Sequence, residues 1–253
     1  MSKRLQGKVA VITGGGAGLG QTCAVLFARE GADLILTDIN EAGLQESAEL
    51  VRAAGAQCSV YAFDIADEAA VKAFGEEVCA SHPKIDVLYN NAGIAYGEIN
   101  KMINDVSKDR WLHFLAVNTV APMLMAEALR PSLAAAKGLI INQSSMASYA
   151  PATVYGVTKA ALNSITYGMA NIYSADGIRC NAIAPGLMET PANKAALPPE
   201  THARIKGMQL IDLDGTATDI ANLALFLASE EGRFINCDIL SCDGGNRLRG
   251  WRG

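Results

Sequence analysis

The sequence predicts an α/β fold, a doubly wound parallel sheet of about seven strands with helices on both faces. Three observations carry that expectation. Short apolar, β-branched runs alternate with longer helical patterns from end to end of the 253 residues. Half of the residues are hydrophobic, which is ample for a sheet covered on both sides. No Pro/Gly/Ser-rich linker, internal repeat or low-complexity tract divides the chain, so residues 1–253 read as one domain.

The first strand is expected at Val9–Thr13, where Val, Ile and Thr predominate. Thr13-Gly14-Gly15-Gly16-Ala17-Gly18-Leu19-Gly20 follows and leads into an apolar helix over 21–30. Residues 34–37 form the second strand, and a helix over 41–54 ends at Gly55, which tolerates the left-handed conformation of a helix stop. Cys58–Ala62 supplies the third strand, and Glu68–Ser81 a helix that halts before Pro83. After a fourth strand at 87–89, residues 105–136 form one long helical pattern containing Pro122, where a kink or a fresh start is expected. Leu139–Gln143 is the fifth strand, 153–174 a helix, 179–183 the sixth strand and 235–240 the seventh. Between the last two, Pro191, Pro198 and Pro199 interrupt a helical pattern within 186–216, the composition of a mobile segment that covers a site.

Bulk properties narrow the function. The formal net charge is −5 and no Lys/Arg run builds a basic patch, so a nucleic-acid partner is not expected. Cys23, Cys58, Cys79, Cys180, Cys237 and Cys242 form no CxxC and are read as reduced and mostly structural. His82, His113 and His202 share no metal-ligand spacing, so no metal site is expected. The N-terminus runs into a strand without an apolar signal region, and no stretch reaches eighteen uninterrupted apolar residues. A soluble, cytoplasmic protein without a membrane partner is expected.

Two features carry chemistry. Tyr155 and Lys159 stand four apart, on one helix face, where the ammonium approaches the phenol. A free phenol has a pKa of about 10 and a nearby cation favours the phenolate, so this pairing lets Tyr155 exchange protons near neutral pH. Together with Ser145, ten residues upstream of Tyr155, and the glycine run, they describe a hydride-transfer site. The run Gly14-x-x-x-Gly18-x-Gly20 is a variant of the G-x-G-x-x-G pyrophosphate turn: glycines let the backbone approach phosphates, and the helix N-terminus offers unpaired N–H groups. Asp38, about twenty residues on, is placed to accept from adenosine ribose hydroxyls and to repel a 2′-phosphate. Ala17 and Ile39 put no cation beside it, which favours NAD over NADP. The bland alternative is that Asp38 merely caps the next helix with Asn40.

Further motifs follow in order: Asp64, Asn90-Asn91-Ala92-Gly93, Asn118, Ser144-Ser145, Tyr155-Gly156-Val157-Thr158-Lys159, Asn181, Pro185-Gly186 with Thr190, and Asp243-Gly244-Gly245. With the glycine run they make nearly the whole chain resemble the short-chain dehydrogenase/reductase family and its Rossmann-like fold. The resemblance implies a cofactor site in which Gly14, Gly18, Leu19 and Gly20 meet the pyrophosphate, with Asp64 and Ile65 at the adenine. Asn91 and Gly93 lie against the cofactor, and Pro185, Gly186, Met188 and Thr190 orient the nicotinamide carboxamide. It further implies that Lys159 binds the nicotinamide ribose and lowers the Tyr155 pKa. Ser145 hydrogen-bonds the substrate oxygen, Asn118 holds a water leading to solvent, and Tyr155 exchanges the alcohol proton during hydride transfer. The motif uses the second serine of the pair, which favours Ser145 over its rival Ser144.

By analogy Ile94, Tyr96, Met146, Tyr149, Met188 and parts of 191–211 face the substrate. Their apolar and aromatic character, with no basic residue among them, favours a hydrophobic secondary alcohol or its ketone, cyclic or aromatic. The resemblance also implies a homotetramer built on 105–136, 153–174 and the last strand. Asn236-Cys237-Asp238 departs from the family's Thr-Gly-Gln-like turn, which puts the local subunit contact in doubt. The tail 247–253, with Leu248, Trp251 and three arginines, is a candidate interface or a frayed end. The rival readings are a 3-oxoacyl thioester reductase on the same scaffold, which predicts NADPH and a basic docking face, and a catalytically silent nucleotide-binding protein.

Overall fold

The computed structural model describes residues 3–94, 101–190 and 197–251. Its centre is one seven-stranded sheet: β1 (Val9–Thr13), β2 (Asp33–Asp38), β3 (Cys58–Ala62), β4 (Val87–Asn90), β5 (Leu139–Gln143), β6 (Arg179–Pro185) and β7 (Ile239–Cys242). All neighbours are parallel, in the order β3-β2-β1-β4-β5-β6-β7. The chain moves outward from β1 in one direction and then crosses back to β4. This reversal opens a crevice at the carboxyl ends of β1 and β4, the place where open α/β sheets receive ligands.

The period-two alternation of the strands divides the core into two layers. Ala10, Ile12, Leu34, Leu36, Tyr89 and Ile141 pack on one face, against α1 (Gly18–Arg29) and α8 (Ala217–Ala228). Val11, Ile35, Leu88 and Ile140 face the other layer, with α3 (Glu68–Ser81), α5 (Ala121–Ala136) and α6 (Val154–Tyr173). The helix α2 (Glu41–Ala53) packs beside β2 and β3.

The long helix over 105–136 begins at Lys108, because the Ser107 side chain accepts from the Arg110 N–H and caps α4 (Lys108–Leu115). It does not stop at Pro122. A π-helical turn, Ala116–Val120, absorbs the proline just before α5, whose first turn contains it. Pro122 has no N–H to give the Asn118 carbonyl four residues earlier, so the α-pattern is interrupted there. The span Lys108–Ala136 is long and apolar enough to cross a membrane, with a mean hydropathy of 1.4, yet half of its most apolar window is buried. Met125, Leu129 and Leu133 lie wholly within the core.

The seventh strand departs from its expected position at 235–240. The β-branched start at Ile235 is not paired in the sheet: its carbonyl accepts from Arg179 Nη1 at 2.9 Å and from Asn181 Nδ2 at 3.0 Å. Asn236 Oδ1 accepts from the Cys180 N–H at 2.9 Å, and Cys237 adopts a left-handed φ of 62°. Side chains of Arg179, Asn181 and Asn236, with main-chain bonds from Cys237 to Cys180 and from Ala182 to Asp238, thus hold 235–238 as a turn, and the strand register begins at Ile239 against Ala182. Arg179 also donates to the carbonyls of Leu227 and Gly232, which closes the end of α8. Arg179→Met is expected to leave these carbonyls without donors and to cost roughly 1–3 kcal/mol, read as a lowered midpoint in urea unfolding. An unchanged midpoint would show that water replaces the guanidinium without loss.

Candidate active site

A groove of about 640 Å³ runs along the carboxyl ends of the strands, within the range of small-molecule sites. At one end the glycine run turns from β1 into α1. Gly14 takes a φ of 64° and Gly18 one of 56°, a region that favours glycine. A Cβ on Gly14 would also fall 2.8 Å from the Ala92 Cα. The turn is fixed to β4 by two reciprocal contacts. Thr13 Oγ1 accepts from the N–H groups of Asn91 and Ala92, each at 3.0 Å, and Asn91 Nδ2 donates to the carbonyls of Thr13 and Gly14 at 3.0 and 3.1 Å. No side chain caps α1 and no acidic residue stands in its first turn, so its N-terminal N–H groups and dipole favour an anion in the groove lined by Gly14, Gly18 and Leu19.

Asp38 closes β2 in the wall of the same groove. Its Oδ2 accepts from the Gly16 N–H and its Oδ1 from the Asn40 N–H, both at 3.0 Å. Asn40, not Asp38, is the cap of α2, accepting from the Gly43 N–H. The neighbouring Ile39 brings no charge. Asp64 and Ile65 line the next part of the groove, with Asp64 Oδ1 held by the Ala66 N–H. Residues not singled out in the sequence join them: Phe63, Val117 and, one helical turn before Val117, His113. Position was their only signal, since Phe63 precedes Asp64 and the other two lie one and five residues ahead of Asn118.

At the other end α6 brings in Tyr155 and Lys159. The Lys159 ammonium lies 5.7 Å from the centre of the Tyr155 ring and donates to the Gln143 carbonyl at 2.7 Å. It is only 3 % exposed, and burial pushes its pKa down to about 8. Gly93 faces both it and Asn118, close enough that a Cβ would sit 3.0 Å from Asn118 Oδ1. The Asn118 side chain is committed to structure: Oδ1 accepts from the Ile94 N–H at 2.9 Å, while Nδ2 donates to the Ile94 carbonyl at 3.0 Å and to Thr158 Oγ1 at 3.2 Å.

The two serines part company. Ser144 is buried and donates to Asn163 Oδ1 at 2.6 Å; Ser145 caps the 3₁₀ turn Met146–Tyr149, accepting from the Ala147 N–H at 3.1 Å. Ser144 lines the groove, whereas Ser145, Met146 and Tyr149 are not part of its wall. The Tyr149 hydroxyl contacts Ser241 Oγ at 3.0 Å, and the Arg247 guanidinium of the tail sits 5.9 Å from its ring. Pro185, Gly186, Met188 and Thr190 complete the wall after β6. The segment beyond carries α7 (Pro199–Lys206), which is fastened by His202 to Glu189 at 2.7 Å, by Lys206 to Asp214, and by Asn246 Nδ2 to the Ile205 carbonyl at 3.0 Å. Tyr96 and residues 191–196 lie outside the described residues.

A family model described as enoyl-(acyl carrier protein) reductase matches residues 14–247. Dehydrogenase/reductase SDR family member 6 of Rattus norvegicus is 35% identical over 252 residues, 96% of this chain and 98% of that protein. The chain belongs to the short-chain dehydrogenase/reductase family. Within the family, 2-keto-3-deoxy-L-fuconate dehydrogenase of Xanthomonas campestris is 37% identical over 253 residues, covering 96% of this chain and 81% of that one. The solved structure of 7α-hydroxysteroid dehydrogenase complexed with NADH and 7-oxo glycochenodeoxycholic acid superposes with a TM-score of 0.89 at 31% identity, covering 96% of each chain. The protein is therefore an oxidoreductase of this family, with its nucleotide-binding Rossmann fold.

The buried Lys159 has a consequence for stability. Its pKa falls on folding from 10.5 to about 8, so the folded state pays to bury the charge at every pH below about 8, a penalty of about 3 kcal/mol that is relieved as pH rises toward 10.5. Lys159→Met without added nucleotide is expected to raise Tm at pH 7 by several degrees, the gain shrinking between pH 8 and 10. Thermal unfolding across that range checks it; a Tm lowered at all pH values would mean that the bond to Gln143 outweighs the buried charge.

Proposed function

We propose that this family member interconverts a hydrophobic, cyclic or aromatic secondary alcohol and its ketone with NAD(H). The observation that carries the reading is the buried Lys159 ammonium over the Tyr155 ring at one end of a groove whose other end holds Asp38 with no cation beside it. The residues present fit a dinucleotide. Glycines and uncapped helical N–H groups receive the pyrophosphate, Asp38 accepts from the adenosine ribose, and Asp64 with Ile65 takes the adenine. Bound there, NAD supplies the acceptor and NADH the donor of the hydride. Lys159 binds the nicotinamide ribose, and its positive charge favours the phenolate of Tyr155, which takes the alcohol proton on oxidation and returns it on reduction. Ser145 is assigned to the substrate oxygen because its Oγ accepts from Ala147 and keeps its own proton to donate, whereas Ser144 spends its proton on Asn163. Asn118 fixes the Ile94 backbone beside the nicotinamide end, and the water it holds belongs at its main chain rather than its committed side chain.

An apolar substrate is supported by the composition of Ile94, Met146 and Met188 and by the steroid ketone in the related structure. The sugar-acid relative favours a second reading, a polar keto-acid substrate, and belongs in the same assay. A 3-oxoacyl thioester reductase is disfavoured by Asp38, which opposes a 2′-phosphate. A single cytoplasmic domain, covered over 186–216 and assembled as a homotetramer, completes the proposal. Leu112, Met123, Tyr167 and Ile172 are exposed apolar residues on α4, α5 and α6, where such contacts would form.

Purified protein with NAD is expected to oxidise members of a panel of cyclic and aromatic secondary alcohols, followed at the reduced-nicotinamide absorbance. Tyr155→Phe is expected to lower kcat by about 10²–10⁴ while leaving NADH binding intact. Turnover of sugar acids alone would overturn the substrate class, and full activity of Tyr155→Phe would overturn the mechanism. For the cofactor, Asp38→Ser combined with Ile39→Arg is expected to move the preference for NAD toward NADP by more than tenfold in kcat/KM. A wild-type protein that already prefers NADP would refute the assignment to Asp38.

A further inference from the structure

One polar side chain in the groove wall is unexplained by the chemistry above. Gln143 ends β5, two residues after Ile141 and four after Leu139, both of which pack in the layer against α1 and α8. The strand period places Gln143 on that same apolar face, where an amide is costly unless it is paired. It is 6 % exposed, yet it lines the groove. Its acceptors are used: Oε1 accepts from the Tyr89 hydroxyl, and the main-chain carbonyl accepts from Lys159 Nζ. Nε2 donates to no described residue. An amide held at Oε1 by a buried partner, with its donor unpaired at the wall of a ligand groove, is arranged to complete its hydrogen bonds with the ligand.

Tyr89 is suited to fix that amide. It is wholly buried, with the buried Cys23 of α1 in the same apolar layer. Burial raises the phenol pKa well above its ordinary value and pushes the Cys23 thiol up to about 12, so both remain neutral across the working pH range. The register pairs Gln143 with Ile183 on β6, two residues before Pro185, and Lys159 sits on its carbonyl. This is the end of the groove assigned to the nicotinamide, far along the sheet from Asp38 and Asp64 on the β2 and β3 side.

We infer that Gln143 donates from its side-chain amide to the nicotinamide half of the bound dinucleotide, with Tyr89 as the positioning residue that holds the amide in orientation. The inference rests on the proposed NAD(H) site. The acceptors available there are the nicotinamide carboxamide oxygen and the oxygens of its ribose, whereas ADP carries neither.

The test is direct titration of the full-length protein with NADH and, separately, with ADP, in wild type, Gln143→Met and Tyr89→Phe, with thermal unfolding recorded for each. Gln143→Met is expected to weaken NADH about tenfold and to leave ADP within twofold; Tyr89→Phe is expected to weaken NADH to a smaller degree, again without changing ADP. Wild-type NADH affinity in Gln143→Met, or an equal loss for both nucleotides, would overturn the inference while leaving the nucleotide site standing. Failure of the wild type itself to bind NADH would overturn the nucleotide reading, and this inference with it.

Discussion

The exchange of hydrogen bonds between Thr13 and Asn91 is the constraint on which the groove depends. One hydroxyl accepts two backbone N–H groups from the segment after β4, and one carboxamide returns two bonds to the end of β1. These strands are adjacent in the sheet but separated by two others in sequence, so the clamp closes the point where the chain reverses direction. It also leaves so little space above Gly14 that no side chain fits, which brings bare backbone to the surface where a phosphate approaches.

A second set of buried polar groups ties the helical layer to the strand ends. Asn90 Nδ2 donates to Asn142 Oδ1 and to the Pro122 carbonyl, and Asn142 Nδ2 passes a bond on to Thr166 Oγ1 on α6. Thr119 Oγ1 donates to the Thr158 carbonyl, beside the bond from Asn118 to the Thr158 hydroxyl. Bonds of this kind in a low-dielectric interior are directional and costly to leave unmade, so they fix the rotation and height of α6 as apolar contacts alone do not. Tyr155 and Lys159 owe their position at the groove to that fixation. The ammonium can then be held in the interior with the Gln143 carbonyl as its hydrogen-bond partner, at a cost in stability.

What could be read from the sequence was local in origin. The glycine turn, the Asp38 position and the Tyr155–Lys159 spacing each depend on the geometry of a single turn or helix, and the structure brings all of them into one groove. The strands β1, β3 and β5 stand at their expected bounds because their β-branched runs are wholly paired with neighbours. The misplaced start of β7 has a non-local cause: Ile235 has a strand-forming side chain, but Arg179 and Asn181, more than fifty residues earlier, take its carbonyl. Gln143 was invisible for a similar reason, since its meaning depends on Tyr89 across the sheet. Ser145, by contrast, rests on family resemblance, and of the two serines it is Ser144 that stands in the groove wall.

The π turn Ala116–Val120 gives this helical span one residue more than a regular α-helix would hold. A π turn takes up that residue within its wider loop, so the helices on either side keep their phase. In an unbroken α-helix the same extra residue would turn one half against the other by about 100°. The half that lines the groove, with His113 and Val117, therefore stays aligned with the half of α5 that builds the core.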